Sequence, residues 1–207
     1  MYRLYNFPPS GNCYKLRLLL TQLKIPFELI SVNLLDQETH LPEFLQKNPS
    51  AKVPVLEIEP DVFLTESNSI LLYLSEETDF FPVDRSERNQ VFKWLFFEQF
   101  SLGANLSRPR FWISIAKQAE KFAPLIAYHQ NLGKAGLEVM EKHLTDHSFF
   151  VGERYTIADI ALYSYSHIAD EGGFDMSQFP YIKAWCDRVQ SQPNHIQIDQ
   201  NSHPLLS

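Results

Sequence analysis

Ser10 and Cys13 stand three positions apart in the stretch PPSGNCYK, residues 8–15, between a short alternating run and a helical pattern. Two cysteines at this spacing, at the mouth of a helix, make a dithiol redox pair. Here the first position carries an alcohol, so a dithiol mechanism through this turn is excluded. Ser10 is a favoured helix cap, and that role alone explains its presence. The same position also suits chemistry: a hydroxyl next to the positive end of a helix can donate to an anion, and the first amides of the helix add further donors. Gly11 lets a ligand backbone approach closely. Cys13, in the first helical turn, is expected to pack against a sheet, because free cysteines are mostly buried and inert.

The elements that must hold this turn can be read on either side of it. Residues 2–6 (YRLYN) alternate as a strand with Leu4 inward. Leu16, Leu19, Leu20 and Leu23 recur on one face of a helix that Pro26 ends. Residues 27–32 form a second strand. Residues 42–47 form a short helix with Pro42 at its first position. KVPVLEI (52–58) reads as a third strand, paired as a hairpin with 61–64 across Glu59-Pro60. Ser67 then caps a helix bearing Ile70, Leu71 and Leu74. The order β-α-β-α-β-β-α implies one parallel strand pair joined by a right-handed crossover and a closing hairpin, hence a mixed four-stranded sheet.

Beyond residue 79 the strand signal stops. DFFPVDRSE reads as a linker, followed by helices at about 86–107, stopped near Pro109; 117–145, with Pro124 and two glycines as breaks; 156–170; and 181–191. Thr156-Ile157-Ala158-Asp159 is a capping box with Asp in place of the usual Glu or Gln, and its role is structural. In the tail, Ile196 and Ile198 are candidates for packing. The expected architecture is an α/β domain, residues 1–79, and an all-helical domain, residues 86–207.

Composition narrows the function classes. Of 207 residues, 44% are hydrophobic and 21% charged, as in ordinary globular proteins. The net charge of −7 argues against a nucleic-acid binder, which needs a basic face. An anionic ligand would have to be held by local dipoles and one or two cations. Two cysteines form no disulfide framework and suit a reducing compartment. With no leader-like pattern in MYRLYNFPPSG and no apolar run long enough to span a bilayer, the expectation is a cytoplasmic protein without membrane partners. No metal site is expected.

LYNFPPSGNCYKLRLLL, NPSAKVPVL, TESNSILLYL and YTIADIALYSY, in this order and at these separations, resemble a cytosolic glutathione transferase of the bacterial serine-type group, near the theta, zeta and nu classes. The resemblance covers essentially the whole chain. It implies a thioredoxin-like N-terminal domain that binds glutathione as co-substrate, a helical domain that shapes a second-substrate pocket, and a homodimer meeting through the helix after Ser67 and the helix from about residue 86.

The resemblance assigns roles to particular residues. A free thiol has a pKa of about 8.5 and is only a few per cent ionised at neutral pH, so the task is to hold glutathione as thiolate. Ser10 would donate to the sulfur, with Asn12 contributing its side chain and the amides of Asn12 and Cys13 adding donors. Val53-Pro54 is expected to be cis, turning the Val53 peptide groups outward to pair with the cysteinyl part of glutathione. Lys52 would reach the glycine carboxylate, with His40 near the same end; a solvated surface role is an alternative for Lys52 and the more common one for a lone loop histidine such as His40. Ser67 would meet the γ-glutamyl carboxylate and Glu66 the amino group. The second-substrate pocket, expected between the domains, would be lined by Phe7 and Pro8 and by Ser101, Asn105, Arg108 and Trp112. Ordinary core accounts for most aromatics of WLFFEQFSLGANLSRPRFW, but Asn105 and Arg108 are polar on an apolar helix.

The implied activity is addition or substitution by the thiolate at an electrophilic, partly hydrophobic substrate. A glutathione-dependent disulfide reductase uses the same nucleophile and fits the same residues. A maleylacetoacetate-type isomerase fits less well, because the doubled serine followed by cysteine of that group is absent. A non-catalytic glutathione or ligand-binding scaffold has no need of Ser10, Val53-Pro54 and Glu66-Ser67 together. Fold alone would not separate these readings.

Overall fold

The computed structural model describes residues 1–200. It divides into two compact units: residues 1–76 together with the stretch that begins at Pro193, and residues 77–192. The stretch after Pro193 therefore groups with the sheet and not with the helices that precede it.

In the first unit, β1 (Tyr2–Asn6), β2 (Phe27–Ser31), β3 (Val55–Glu59) and β4 (Val62–Leu64) form one sheet in the order β2-β1-β3-β4. β1 runs parallel to β2 and antiparallel to β3, and β3 and β4 close as an antiparallel hairpin with an irregularity between Glu57 and Glu59. The parallel pair requires a crossover, supplied by α1 (Gly11–Gln22). The third strand starts at Val55, so residues 52–54 lie in the loop before it. That loop follows the short helix α2 (Pro42–Leu45) and is shaped by buried Asn48. Asn48 donates to the Lys52 carbonyl at 2.8 Å and accepts from the Ser50 amide and hydroxyl. α3 (Ser67–Ser75) packs on α1.

The leucine stripe predicted for α1 is present, with Leu16, Leu19 and Leu20 fully buried. Burial extends round the helix, however, to Lys15, Arg17 and Thr21. Part of the reason is the segment after Pro193. Tyr14 donates to the Ile196 carbonyl at 2.7 Å, and Arg17 to the carbonyls of Ile198 at 2.6 Å and Pro8 at 3.1 Å. These bonds tie the segment along α1, and Ile196 is buried there.

The second unit is helical: α4 (Arg85–Phe97), α5 (Ala104–Arg110), α6 (Ala123–Leu144), α7 (Ile157–Ser166) and α8 (Pro180–Gln190). Two sequence expectations fail here. Pro109 does not stop a helix; it lies inside α5, which runs on into a π-helical turn, Phe111–Ile115. Proline removes one amide and crowds the preceding turn. The helix loses that one ladder bond and continues past Pro109 into a wider turn, with the Ala116 amide bonded to the Phe111 carbonyl five residues back at 2.7 Å. A second π-helical turn, Glu98–Gly103, precedes α5. Nor do Pro124 and the glycines break α6. Pro124 sits in its first turn, where a missing amide costs nothing, so the helix begins at Ala123 and not at 117. Gly133 and Gly136 allow close packing. A Cβ on Gly133 would lie 2.7 Å from the Phe174 ring, and one on Gly136 would lie 3.1 Å from Leu102.

The capping box at the start of α7 is fully formed. Thr156 accepts from the Ala158 amide, and Asp159 accepts from the Thr156 amide at 2.9 Å. Asp159 also takes the Phe150 amide at 3.2 Å and the Trp185 indole N–H at 3.0 Å, so it joins α7 to α8 and to the turn before α7.

Candidate functional site

Ser10 is the N-cap of α1, with extended backbone and its Oγ accepting from the Cys13 amide at 3.3 Å. Capping occupies the oxygen as acceptor and leaves the hydroxyl proton to donate, so the two readings of Ser10 coexist. The sulfur in this turn is that of Cys13, whose thiol is buried. Burial pushes that thiol's pKa up, while the Phe7 amide and the Ser10 hydroxyl pull weakly the other way. Cys13 is therefore a packed thiol, shielded from solvent and disfavoured as thiolate.

Gly11 is buried at the first helical position and Asn12 is half-buried beside it. The Asn12 Oδ1 accepts from the Ser67 hydroxyl at 3.3 Å, which links the start of α1 to the start of α3. Lys15 completes this cluster: its Nζ, with the side chain wholly buried, donates to Ser67 Oγ at 3.3 Å and to Asn68 Oδ1 at 3.0 Å. Neither Lys15 nor Asn68 is among the residues expected from the sequence. One signal was available, since Lys15 lies three residues after Asn12 and so shares its helix face.

Ser67 is the first residue of α3 and not its cap. The cap position belongs to Glu66, whose side chain makes no capping bond. Glu66 holds φ 65° and ψ 107°, a conformation unfavourable for a residue with a Cβ, and its side chain is exposed. The Val53-Pro54 bond is cis, as the resemblance implied. Among the described residues no hydrogen bond engages the Val53 peptide N–H or C=O, although the residue is largely buried. Unpaired peptide groups of that kind call for a partner. Lys52 is exposed at the same loop. His40 ends a 3-10 turn, Glu38–His40, exposed, with only its neighbour Thr39 within 3.4 Å of Nδ1. It shares no hydrogen bond with the Ser10–Ser67 cluster.

The residues expected to line a second-substrate pocket fall in both units. Phe7 is core, its ring 7% exposed, so its contribution is its backbone: the amide points at Cys13 Sγ (3.5 Å) and the carbonyl accepts from the Ser10 amide. Pro8 is half-buried, with its carbonyl held by Arg17. In the second unit, Ser101, Asn105, Arg108 and Trp112 follow one another along the π–α–π stretch. Asn105 donates to the Ser101 carbonyl at 2.8 Å and accepts from His129 Nδ1 at 2.8 Å. Arg108 donates to His129 Nε2 at 3.1 Å, and Trp112 lies 6.0 Å from the His129 ring, centroid to centroid. The sequence reading missed His129, because nothing local marks it. A hollow of about 260 Å³ in the first unit, lined by Tyr5, Ile30, Val32, Leu41, Phe44 and Lys47 among others, includes none of the expected residues. Among the described residues no cluster of His, Cys, Asp or Glu is arranged to hold a metal, and no helix is long and apolar enough to cross a membrane.

A mixed sheet in the order β2-β1-β3-β4, a helix capped by Ser10 after its first strand, and a cis-proline loop before its third define a thioredoxin-like unit whose active turn has an alcohol in place of a cysteine. The helical second unit completes a two-part architecture. The chain belongs to the glutathione S-transferase family: the model of that family's N-terminal domain matches residues 1–76 and that of its C-terminal domain residues 107–193. It is 32% identical over 200 residues to Disulfide-bond oxidoreductase YfcG of Escherichia coli, covering 93% of this chain and 92% of that protein. A solved glutathione S-transferase from Pseudomonas fluorescens is 44% identical, with a TM-score of 0.93 over 95% of this chain and 98% of that one. Another family member from that organism, solved with two glutathione bound, is 27% identical, with a TM-score of 0.79 over 93% and 89% of the two chains.

Proposed function

We propose that this chain binds glutathione at the Ser10 turn, holds it as thiolate, and directs it at an electrophilic, partly hydrophobic second substrate. The observation that carries this reading is the Asn12–Ser67–Lys15 cluster, which joins the amide-rich starts of two helices within reach of one hydroxyl donor. An anionic tripeptide suits such a place. Ser10 and Asn12 serve the sulfur, with Gly11 leaving room. The open peptide groups of Val53, before Pro54, take the cysteinyl backbone. Ser67 at the α3 start takes the γ-glutamyl carboxylate, Glu66 the amino group, and Lys52 and His40 the glycine end. Residues 1–79 thus carry the glutathione site, and 86–207 the second-substrate residues Ser101, Asn105, Arg108 and Trp112, with Phe7 and Pro8 supplied by the first segment. No general base is required, because stabilising the thiolate and holding it near the electrophile supply the rate.

A second reading, reduction of disulfides by two glutathiones, is favoured by the relative named as a disulfide-bond oxidoreductase and by the neighbour that holds two glutathione molecules. The protein again contributes no cysteine. We place the enzyme in the cytoplasm, and as a homodimer that meets through α3 and α4. Tyr73 on α3, Phe96 on α4 and Phe100 just beyond it are 50%, 71% and 88% exposed. Aromatic side chains this open suit a contact with a second copy.

The deciding measurement is the near-ultraviolet thiolate absorbance of bound glutathione, titrated over pH, with Ser10→Ala as control. A midpoint well below that of free glutathione, lost in the variant, supports the proposal. Binding without a shift favours a ligand carrier, and no binding favours a scaffold. Parallel assays with electrophiles and with a low-molecular-weight disulfide then separate transfer from reduction.

A further inference from the structure

We propose that Arg108 is an anion receptor, and that the second substrate carries a carboxylate beside a flat aromatic or unsaturated group. The inference deepens the glutathione reading above and rests on it for the word substrate. Arg108 lies on α5 with its side chain exposed, yet its guanidinium is anchored. Nη1 donates to His129 Nε2 at 3.1 Å, so the ring's one remaining proton sits on Nδ1 and goes to Asn105 Oδ1 at 2.8 Å. The Asn105 amide in turn donates to the Ser101 carbonyl at 2.8 Å. The chain Arg108–His129–Asn105–Ser101 has one direction of donation throughout and ends on the backbone. His129 and Asn105 are 6% and 7% exposed. Burial and the Arg108 charge both push the His129 pKa down, which keeps the ring neutral and able to accept.

The result is a cation fixed by a neutral partner. Among the described residues Arg108 forms no ion pair, whereas Arg110, two positions on, is buried and paired with Glu171 at 2.8 Å. A long side chain loses rotamer freedom when held in this way, and among the described residues no carboxylate compensates. Its remaining donors are disposed to bind a planar anion through two parallel hydrogen bonds. The platform beside it is aromatic. Trp112, one turn on and also against His129, stacks on Phe122 at 4.9 Å and 13°, and the Lys121 ammonium lies 5.1 Å from the Phe122 ring centre. Lys121 thus lies on one end of the stacked rings, and Arg108 shares the His129 ring with Trp112 at the other. The surface fits an aryl or conjugated carboxylate better than a neutral hydrocarbon, which would gain nothing from an anchored guanidinium.

The test is calorimetric titration of the full chain, without glutathione, using 4-nitrobenzoate, the neutral 4-nitrobenzamide of the same shape, and acetate. The expected result is binding of nitrobenzoate at least about tenfold tighter than either of the others. Arg108→Met should abolish the preference over the amide while leaving the amide's affinity within twofold. His129→Leu, which leaves Arg108 in place but unheld, should shrink the preference severalfold with the amide again unaffected, as expected for a positioning residue. Trp112→Leu should weaken both aromatic probes. Equal affinity for nitrobenzoate and its amide in the wild-type protein, or binding of neither, overturns the proposal, and that comparison needs no variant to fold. A preference that survives Arg108→Met also overturns it, and acetate binding as tightly as nitrobenzoate removes the flat group. Because the titration contains no glutathione, thiolate formation without a carboxylate preference sinks this inference alone. A preference without thiolate formation sinks only the glutathione reading.

Discussion

Asp159 is the best single test of how the helical unit is held, because its carboxylate serves four buried donors, from the Thr156 hydroxyl beside it and from three other groups on different segments. The amides of Phe150 and Thr156 and the Trp185 indole N–H all end on it, and its side chain has no solvent exposure. Asp159→Ala removes their acceptor without admitting water. Each orphaned buried donor costs about 1–3 kcal/mol, so the loss should be about 3 kcal/mol or more, well above the ~1 kcal/mol of a simple cap. For a chain of this length that lowers Tm by roughly 6–12 °C. The pH dependence gives an independent check. Burial pushes the Asp159 carboxyl pKa from 3.8 up to about 6, against the pull of its donors. The folded state then binds this proton more tightly than the unfolded chain, so the residue's contribution is most favourable below about pH 4 and declines as pH rises towards 6. At about 1.4 kcal/mol per pH unit between the two values, the decline is of order 3 kcal/mol. Asp159→Asn keeps the shape and cannot titrate. The stability of the wild type relative to Asp159→Asn should therefore fall between pH 4 and pH 7, measured by urea unfolding at each pH. An Asp159→Ala midpoint within 1 °C of wild type, or a wild-type/Asn difference flat over that range, refutes the reasoning.

Lys15→Met should weaken glutathione binding about tenfold by leaving Ser67 and Asn68 without their donor, with the thiolate midpoint of the bound fraction unchanged; calorimetric affinity within twofold of wild type would exclude a role in the site. Glu66→Gly should relieve the unfavourable φ of 65° and raise stability by about 1 kcal/mol while lowering glutathione affinity, and a destabilised variant would show that this backbone is not strained. Light scattering at micromolar concentration should give twice the chain mass of 24.1 kDa, and Phe100→Glu should shift the protein towards the monomer; a wild-type monomer would refute the α3–α4 contact.

What was legible in the sequence is what repeats locally. The leucines of α1 and the Thr156–Asp159 box carry their own periodicity or capping chemistry and form as read, while the hairpin forms with its turn one residue later, at Pro60-Asp61, because Glu59 still pairs with Val62. The errors have a common physical origin. Proline and glycine were read as breaks, but Pro109 lies inside α5 with a π-helical turn on either side, while Gly133 and Gly136 are places where a neighbour comes close. The local rule is right about the lost amide and the missing side chain; it cannot know what packs there. The leucine stripe says nothing of Lys15 and Arg17, whose burial depends on Ser67, Asn68 and the segment after Pro193. Polar residues on an apolar helix were a sounder guide, since they pointed to Asn105 and Arg108. Their common partner His129 lies 24 and 21 positions further on in another helix, and no spacing rule reaches that far. A polar residue on an apolar face therefore marks where a network begins, and the fold alone decides where it ends. From Arg108 it runs through a neutral ring to the Ser101 carbonyl, so the cation is held in place without being neutralised.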